Sequence, residues 1–182
     1  MIIDINKLRG YYAMMQDGVR MDAYYRAIKD NCIDAVVCEI GVGLAPLSLM
    51  ALKAGAARVY GIECDSIILQ SAKQIMLENG YDESRFIPVL GYSNHVSLPE
   101  RVDVILSETL DSIGIGENAT FYMADACMRF LKPGGIVLPK ALECYLALSS
   151  PEAFRKKEDF WLKEMPERFG LEYRTVAALD RT

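Results

Sequence analysis

Residues 35–46 read Ala35-Val-Val-Cys-Glu39-Ile-Gly41-Val-Gly43-Leu-Ala45-Pro46, and this stretch decides the fold. Ala35 to Ile40 is a short β-prone run. It ends in a Gly-x-Gly turn, and Pro46 sits where a first helical turn should begin, ahead of Leu47 to Ala54. The predicted order is strand, glycine turn, helix. Glycines at such a turn let the backbone approach a nucleotide-like ligand. About twenty residues on, Glu63 closes a second β-prone run, Arg58 to Ile62, where an acid suits the two hydroxyls of a ribose.

The same alternation continues outward. Ser66 to Asn79 reads as a helix with Gly80 as its C-terminal glycine. Phe86–Leu90 and Val102–Leu106 read as strands, the latter apolar enough to be buried on both faces. Asn118 to Leu131 reads as a helix closed by Lys132-Pro-Gly-Gly135, and Ile136–Leu138 and Leu142–Leu148 read as two more strands. Strands alternating with helices at this spacing predict a parallel α/β sheet with right-handed crossovers. Ahead of it, apolar and aromatic positions from about residue 6 to 30 recur at helical spacing, with Asn31 as the stop. The expected organisation is one soluble domain in three parts: an N-terminal helical segment over 1–34 that covers a cofactor, a core over 35–150, and a helix and loop over 151–182.

Composition narrows the functional classes. With 182 residues, 52% of them hydrophobic, the chain can bury one substantial core. A formal charge of −5 argues against a nucleic-acid footprint and favours a cationic or neutral partner. Five cysteines without a CxxC and a single histidine, His95, offer no recognisable metal-ligand spacing, so no metal is expected. An odd number of dispersed thiols fits a reducing compartment. The opening MIIDINKLRG has neither the apolar run of a signal peptide nor that of a membrane span, so a cytoplasmic protein without a membrane partner is expected.

Two residues choose between cofactors. A dinucleotide site wants a small residue three positions after Gly43, because the pyrophosphate rests on the helix N-terminus, and here that position is Pro46. Glu39, two residues before the first glycine, is unwelcome beside a phosphate. It suits a ligand bearing an amine, such as the methionine part of S-adenosylmethionine, which is therefore favoured over NAD.

At this point the chain resembles the catalytic core of the protein arginine methyltransferases, a branch of the seven-strand S-adenosylmethionine-dependent methyltransferases. Tyr12 to Ile28 is similar to that family's amino-terminal helix, Glu39 to Ala45 to its first motif, and Gly61-Ile-Glu63-Cys64 to its ribose-binding strand end. Ser107-Glu108 to Glu117 is similar to its double-glutamate loop. Leu131-Lys-Pro-Gly-Gly135 and Phe160-Trp161 match later landmarks. The resemblance implies a Rossmann-like seven-strand sheet with helices on both faces. It implies that Arg20 binds the cofactor's carboxylate, that Met14 packs near the sulfonium, and that Glu63 holds the ribose. Gly41 and Gly43 would line the methionine portion, while Cys64, Ser93 and Asn94 would border the adenine. Residue by residue, plainer readings stand beside these. Asp17 and Arg20, three apart, also fit a surface pair, and Met14 and Met15 also fit a core.

Glu108 and Glu117 are the expected catalytic pair. Nine residues on one helix would set them on opposite sides, and Gly114 and Gly116 permit the chain to fold back instead. Two converging carboxylates can hold the planar fork of a guanidinium and leave the reacting nitrogen richer in electrons, and one can take the departing proton. The expected reaction is N-methylation of a guanidino or amine group on a peptide or small molecule. An oxygen or carbon acceptor, and a cofactor-binding subunit without its own turnover, are the alternatives. The resemblance also implies a β-barrel after this core, which would begin near Thr182. Its threonine-histidine-tryptophan loop and dimerisation surface are expected to be lost, or supplied through a homo-oligomer or a partner chain.

Overall fold

The computed structural model describes residues 4–110, 118–145 and 152–179, without the side chains of 153–155, 157 and 179. Two compact units form, Met1–Cys144 and Tyr145–Thr182. The first carries α1 (Ile5–Gln16), α2 (Gly18–Asn31), β1 (Val36–Ile40), α3 (Pro46–Lys53), β2 (Arg58–Glu63), α4 (Ser66–Glu78), β3 (Phe86–Leu90), β4 (Val102–Ser107), α5 (Ala119–Arg129) and β5 (Leu131–Leu138). The second is helical, with α6 (Glu152–Asp159), a π-helical turn (Phe160–Glu164), α7 (Met165–Phe169) and α8 (Arg174–Leu179). Within it Trp161 packs edge-to-face on Phe160 and tilted against Tyr173, with ring centroids 4.8 and 5.5 Å apart.

The sheet is parallel throughout, in the order β3-β2-β1-β4-β5. Central β1 is buried along its whole length, so its residues alternate between two apolar layers. Val37, Val59, Val104 and Leu106 face a layer filled by Ile28 of α2, Leu47 and Ala51 of α3, and Leu69 and Met76 of α4. Cys38, Ile40, Ile62 and Ile105 face the other, filled by Ala126 of α5 and by Phe130. Helices therefore cover both faces. The chain winds outward from β1 through β2 to β3, then crosses to β4 on β1's other side. The order reverses between β1 and β4, and a crevice opens at their C-terminal ends.

Three expectations are corrected. The described residues form five strands, not seven. Leu142 to Tyr145 is irregular and exposed, since Pro139 interrupts the run and offers no N–H to a neighbouring strand, and 146–148 lie outside the described residues. The single N-terminal helix is two, because Asp17 leaves helical geometry and its Oδ1 accepts the Arg20 N–H at 3.1 Å, which caps α2. Finally, β5 starts at Leu131 instead of after Gly135. Val102 pairs with Leu131 and Val104 with Ile136, so Lys132-Pro-Gly-Gly135 is bulged into the strand. No helix of the described residues is long and apolar enough to cross a membrane.

Candidate active site

The crevice is built from backbone first. At the end of β1, Gly41 and Val42 both donate their N–H to the Ile62 carbonyl at 3.0 Å, which ties the glycine turn to β2. Gly41 has φ +72° and Gly43 φ +53°, both in the left-handed region. Space is as restrictive as torsion. A Cβ on Gly41 would lie 2.6 Å from Thr109 Cγ2, and one on Gly43 would lie 2.8 Å from Tyr11 Cε1. Glu63, at the end of β2, closes the turn from the side. Its Oε2 accepts the Gly43 N–H at 3.1 Å, and its Oε1 accepts the Asp65 N–H at 3.0 Å. Oε1 also accepts the Cys64 thiol at 3.5 Å, so Oε2, with one donor, has the greater acceptor capacity to spare.

Above this floor lies a cavity of about 360 Å³, within the range of small-molecule sites. Met14, Arg20, Glu39, Gly41, Gly43 and Glu63 line it, joined by Cys64 and Glu108. The cavity separates two neighbours that sequence spacing leaves equivalent, for Met14 reaches it while Met15 is exposed. A second cavity of about 210 Å³ continues past Glu63 and Cys64, where Ser93, Tyr92 and Tyr122 form the far wall. Asn94 does not line it, although its amide oxygen is buried with no hydrogen-bond partner among the described residues.

Glu39 is the most perturbed acid on this wall. It is 2% exposed, and burial pushes its carboxyl up to about 8, against the Ser48 hydroxyl that donates to its Oε2. At neutral pH it mostly holds a proton. A ligand that brings an ammonium group would favour the ionised form instead.

The open end holds the acids. Arg20 Nη1 donates to Glu108 Oε1 at 2.9 Å, and its Nε lies 3.3 Å from Asp17 Oδ2. Glu108 is held in turn through its backbone: the Tyr24 hydroxyl donates to the Ser107 carbonyl at 2.9 Å, and Ser107 Oγ donates to the Ile40 carbonyl at 3.2 Å. Burial raises the Tyr24 phenol well above its usual range, so it stays a donor at any ordinary pH. Glu117, the second expected catalytic acid, lies outside the described residues. The sequence reading missed Tyr11, Tyr24 and Thr109. Each works through a contact with a residue far away in the chain, and no local spacing announces it.

The chain is similar to known proteins along most of its length. The family described as ribosomal protein L11 methyltransferase (PrmA) matches residues 21–139, well over half of the chain. The chain belongs to this methyltransferase family. Among individual proteins it is 38% identical over 153 residues to protein arginine N-methyltransferase 1 of Chlamydomonas reinhardtii, covering 81% of this chain and 44% of that one. It is 34% identical over 160 residues to the histone-arginine methyltransferase CARMER of Anopheles gambiae, covering 82% and 25%. The resemblance seen in the sequence is thus borne out, although the chain spans less than half the length of these relatives. Protein arginine methyltransferase 10 of Arabidopsis thaliana superposes with a TM-score of 0.72 at 25% identity, over 95% of this chain and 53% of that one. The PRMT1 enzyme-prozyme heterotetrameric complex of Trypanosoma brucei with AdoHcy shares the fold, with a TM-score of 0.71 at 22% identity over 93% and 53%.

Proposed function

We propose that this methyltransferase-family chain is the core of an S-adenosylmethionine-dependent N-methyltransferase that acts on a guanidino group of a peptide or small molecule. One observation carries the reading. Glu108 stands at the open end of the cavity and already accepts a guanidinium N–H, from Arg20 at 2.9 Å. That pairing supports Glu108 as the acid that receives an acceptor arginine. Gly41 and Gly43 line the cavity with backbone alone, which suits the close approach of a cofactor. When bound, S-adenosylmethionine supplies a methyl group on a sulfonium, open to in-line attack.

The residues divide the remaining work. Glu63 would receive the ribose hydroxyls on its remaining acceptor capacity, and Glu39 would receive the amine. Arg20 turns from Glu108 toward the cofactor's carboxylate, which leaves the Glu108 oxygen for the acceptor. Glu108 with Glu117 would then hold the guanidinium and accept its proton. The curated relatives are named for action on arginine in proteins and histones, which supports a guanidino acceptor over an oxygen or carbon one. The enzyme-prozyme assembly of the Trypanosoma neighbour supports a partner chain, or a second copy, that completes the acceptor side.

The test is methylation of an arginine-rich peptide and of free guanidino compounds by Glu108→Gln and Glu117→Gln. Each is expected to lose at least about 100-fold in kcat, with S-adenosylhomocysteine affinity within about threefold of the parent. Turnover close to wild type in both variants sinks the paired-carboxylate mechanism.

A further inference from the structure

We infer that Arg129 is a positioning residue of the cofactor site, fixing residues 91–96 as the wall against which the adenine end of the cofactor rests. The inference builds on the proposed assignment of the Cys64 and Ser93 end of the cavity to the adenine. Among the described residues the connection from β3 to β4 carries no helix, unlike those from β1 to β2, β2 to β3 and β4 to β5. It must be held some other way. Its first residue, Gly91, donates to the Glu63 carbonyl at 2.9 Å and has φ +145°, and a Cβ there would lie 2.7 Å from Val96 Cγ1. The Tyr92 carbonyl then accepts the N–H of His95 at 2.9 Å and of Val96 at 3.2 Å. The turn is thus closed on itself and stacked on Gly91.

One guanidinium ties the far side of the turn to α5. Arg129 Nη1 donates to the Val96 carbonyl at 2.7 Å, and Nη2 donates to the Ser93 carbonyl. Asp125, one turn earlier on α5, aims the group: its carboxylate accepts from Nε at 3.0 Å and from Nη2 at 2.6 Å. Ser93 is 4% exposed and lines the cavity, so the residue whose carbonyl Arg129 grips is part of the wall itself. Tyr122, seven positions before Arg129 and so on the same face of α5, lines the same cavity. That face reads Tyr122, Asp125, Arg129. It builds one wall of the cavity and fastens the adjoining one.

A rigid fork suits this task. Two carbonyls three residues apart and one carboxylate need donors in fixed, divergent directions, which guanidinium supplies and an ammonium on a flexible stem does not. Without the fork, residues 91–96 lose their two side-chain hydrogen bonds and keep only the Gly91–Glu63 bond and the packing of Val96 on the second apolar layer. The ordering of the wall then falls to the ligand on binding, and affinity drops.

Calorimetry with S-adenosylhomocysteine on the full chain tests this. Arg129→Ala is expected to weaken Kd about tenfold at unchanged stoichiometry, with Arg129→Lys between it and wild type. In the ligand-free variant, hydrogen exchange is expected to quicken at amides 92–96 and not in β1. An unchanged Kd overturns the inference, and so does a fallen stoichiometry with unchanged Kd, which would mean only that less of the chain folds. Should Arg129→Ala not fold, Asp125→Asn releases the fork from its carboxylate and is expected to weaken Kd about threefold; a wild-type Kd there overturns the inference equally. A wild-type chain that fails to bind S-adenosylhomocysteine sinks the cofactor reading and the inference together, whereas binding that is indifferent to Arg129 sinks the inference alone.

Discussion

The floor and the cover of the cavity are made in opposite ways. The floor is backbone: Gly41, Val42 and Gly43 are hydrogen-bonded to Ile62 and Glu63, and the Ala45 N–H donates to the Val42 carbonyl at 2.8 Å. Beneath it lie the buried residues of both apolar layers. The cover is side chains. Helix α1 buries no residue fully, and α2 buries only Ile28. They reach the site through the Lys7–Asp65 pair, the Tyr11 ring over Gly43, and the Arg20–Glu108 pair. A change in the floor should therefore appear first as lost stability, and a change in the cover first as lost binding.

Gly41→Ala tests the floor most severely. Its methyl would need to displace Thr109 from 2.6 Å while the backbone stays at φ +72°. Left-handed strain of about 1–2 kcal/mol for an L-residue adds to overpacking of about 1–3 kcal/mol. A loss of about 2–5 kcal/mol in denaturant unfolding is expected. A loss well under 1 kcal/mol would mean that the floor gives way easily, and the contrast with the cover would collapse.

Glu39 tests the floor by pH. Its folded carboxyl is raised from 4.5 to about 8, so over that window the folded state holds a proton that the unfolded state has released. Stability must then fall as pH rises from about 4.5 to 8 and level off above it. Glu39→Gln keeps a partner for Ser48 and has no proton to lose. Its stability minus that of the parent is expected to climb across the window in thermal unfolding. A flat difference would show that Glu39 is ionised and solvated, contrary to its burial.

Tyr11→Ala tests the cover. The ring is only partly buried, so its loss is expected to cost less than about 1 kcal/mol of stability. It roofs Gly43 at the cavity, and S-adenosylhomocysteine affinity is expected to fall about tenfold. Equal losses on both readouts would make the cover as integral to the fold as the floor.

The same division governs what could be read in advance. The floor was legible because its chemistry is local: Gly41, Gly43 and Pro46 each dictate the backbone where they stand, and Glu63 falls at the end of the next strand. The cover was not. Apolar spacing continues through Asp17, so one helix was expected where an aspartate followed by a glycine starts a second. Arg20 and Glu108 lie 88 positions apart and Arg129 and Ser93 lie 36, and pairs at such separations leave no mark on periodicity. Pro133 and the glycines after it were read as a stop, because a bulged edge strand and a loop use the same residues. Glu108 stands out beside Glu117 in the sequence and Arg20 in the N-terminal segment, whereas their pairing exists only in the folded chain.

The smallest effect is expected at Ala45, the floor's one left-handed residue that is not glycine, with φ +64° at the start of α3. Ala45→Gly would relieve about 1–2 kcal/mol of strain. Against that, the alanine is fully buried, and losing its methyl costs about 0.8 kcal/mol of transfer energy. A glycine also frees the unfolded chain, for a further 0.4–1 kcal/mol or about that. The terms nearly cancel, so unfolding free energies of variant and parent are expected to agree within about 1 kcal/mol. A gain beyond that would mean that the alanine holds the turn under strain that the other terms do not offset. The variant's S-adenosylhomocysteine affinity would then show whether that strain serves the cavity, since a floor shaped for its ligand should bind less well once relaxed.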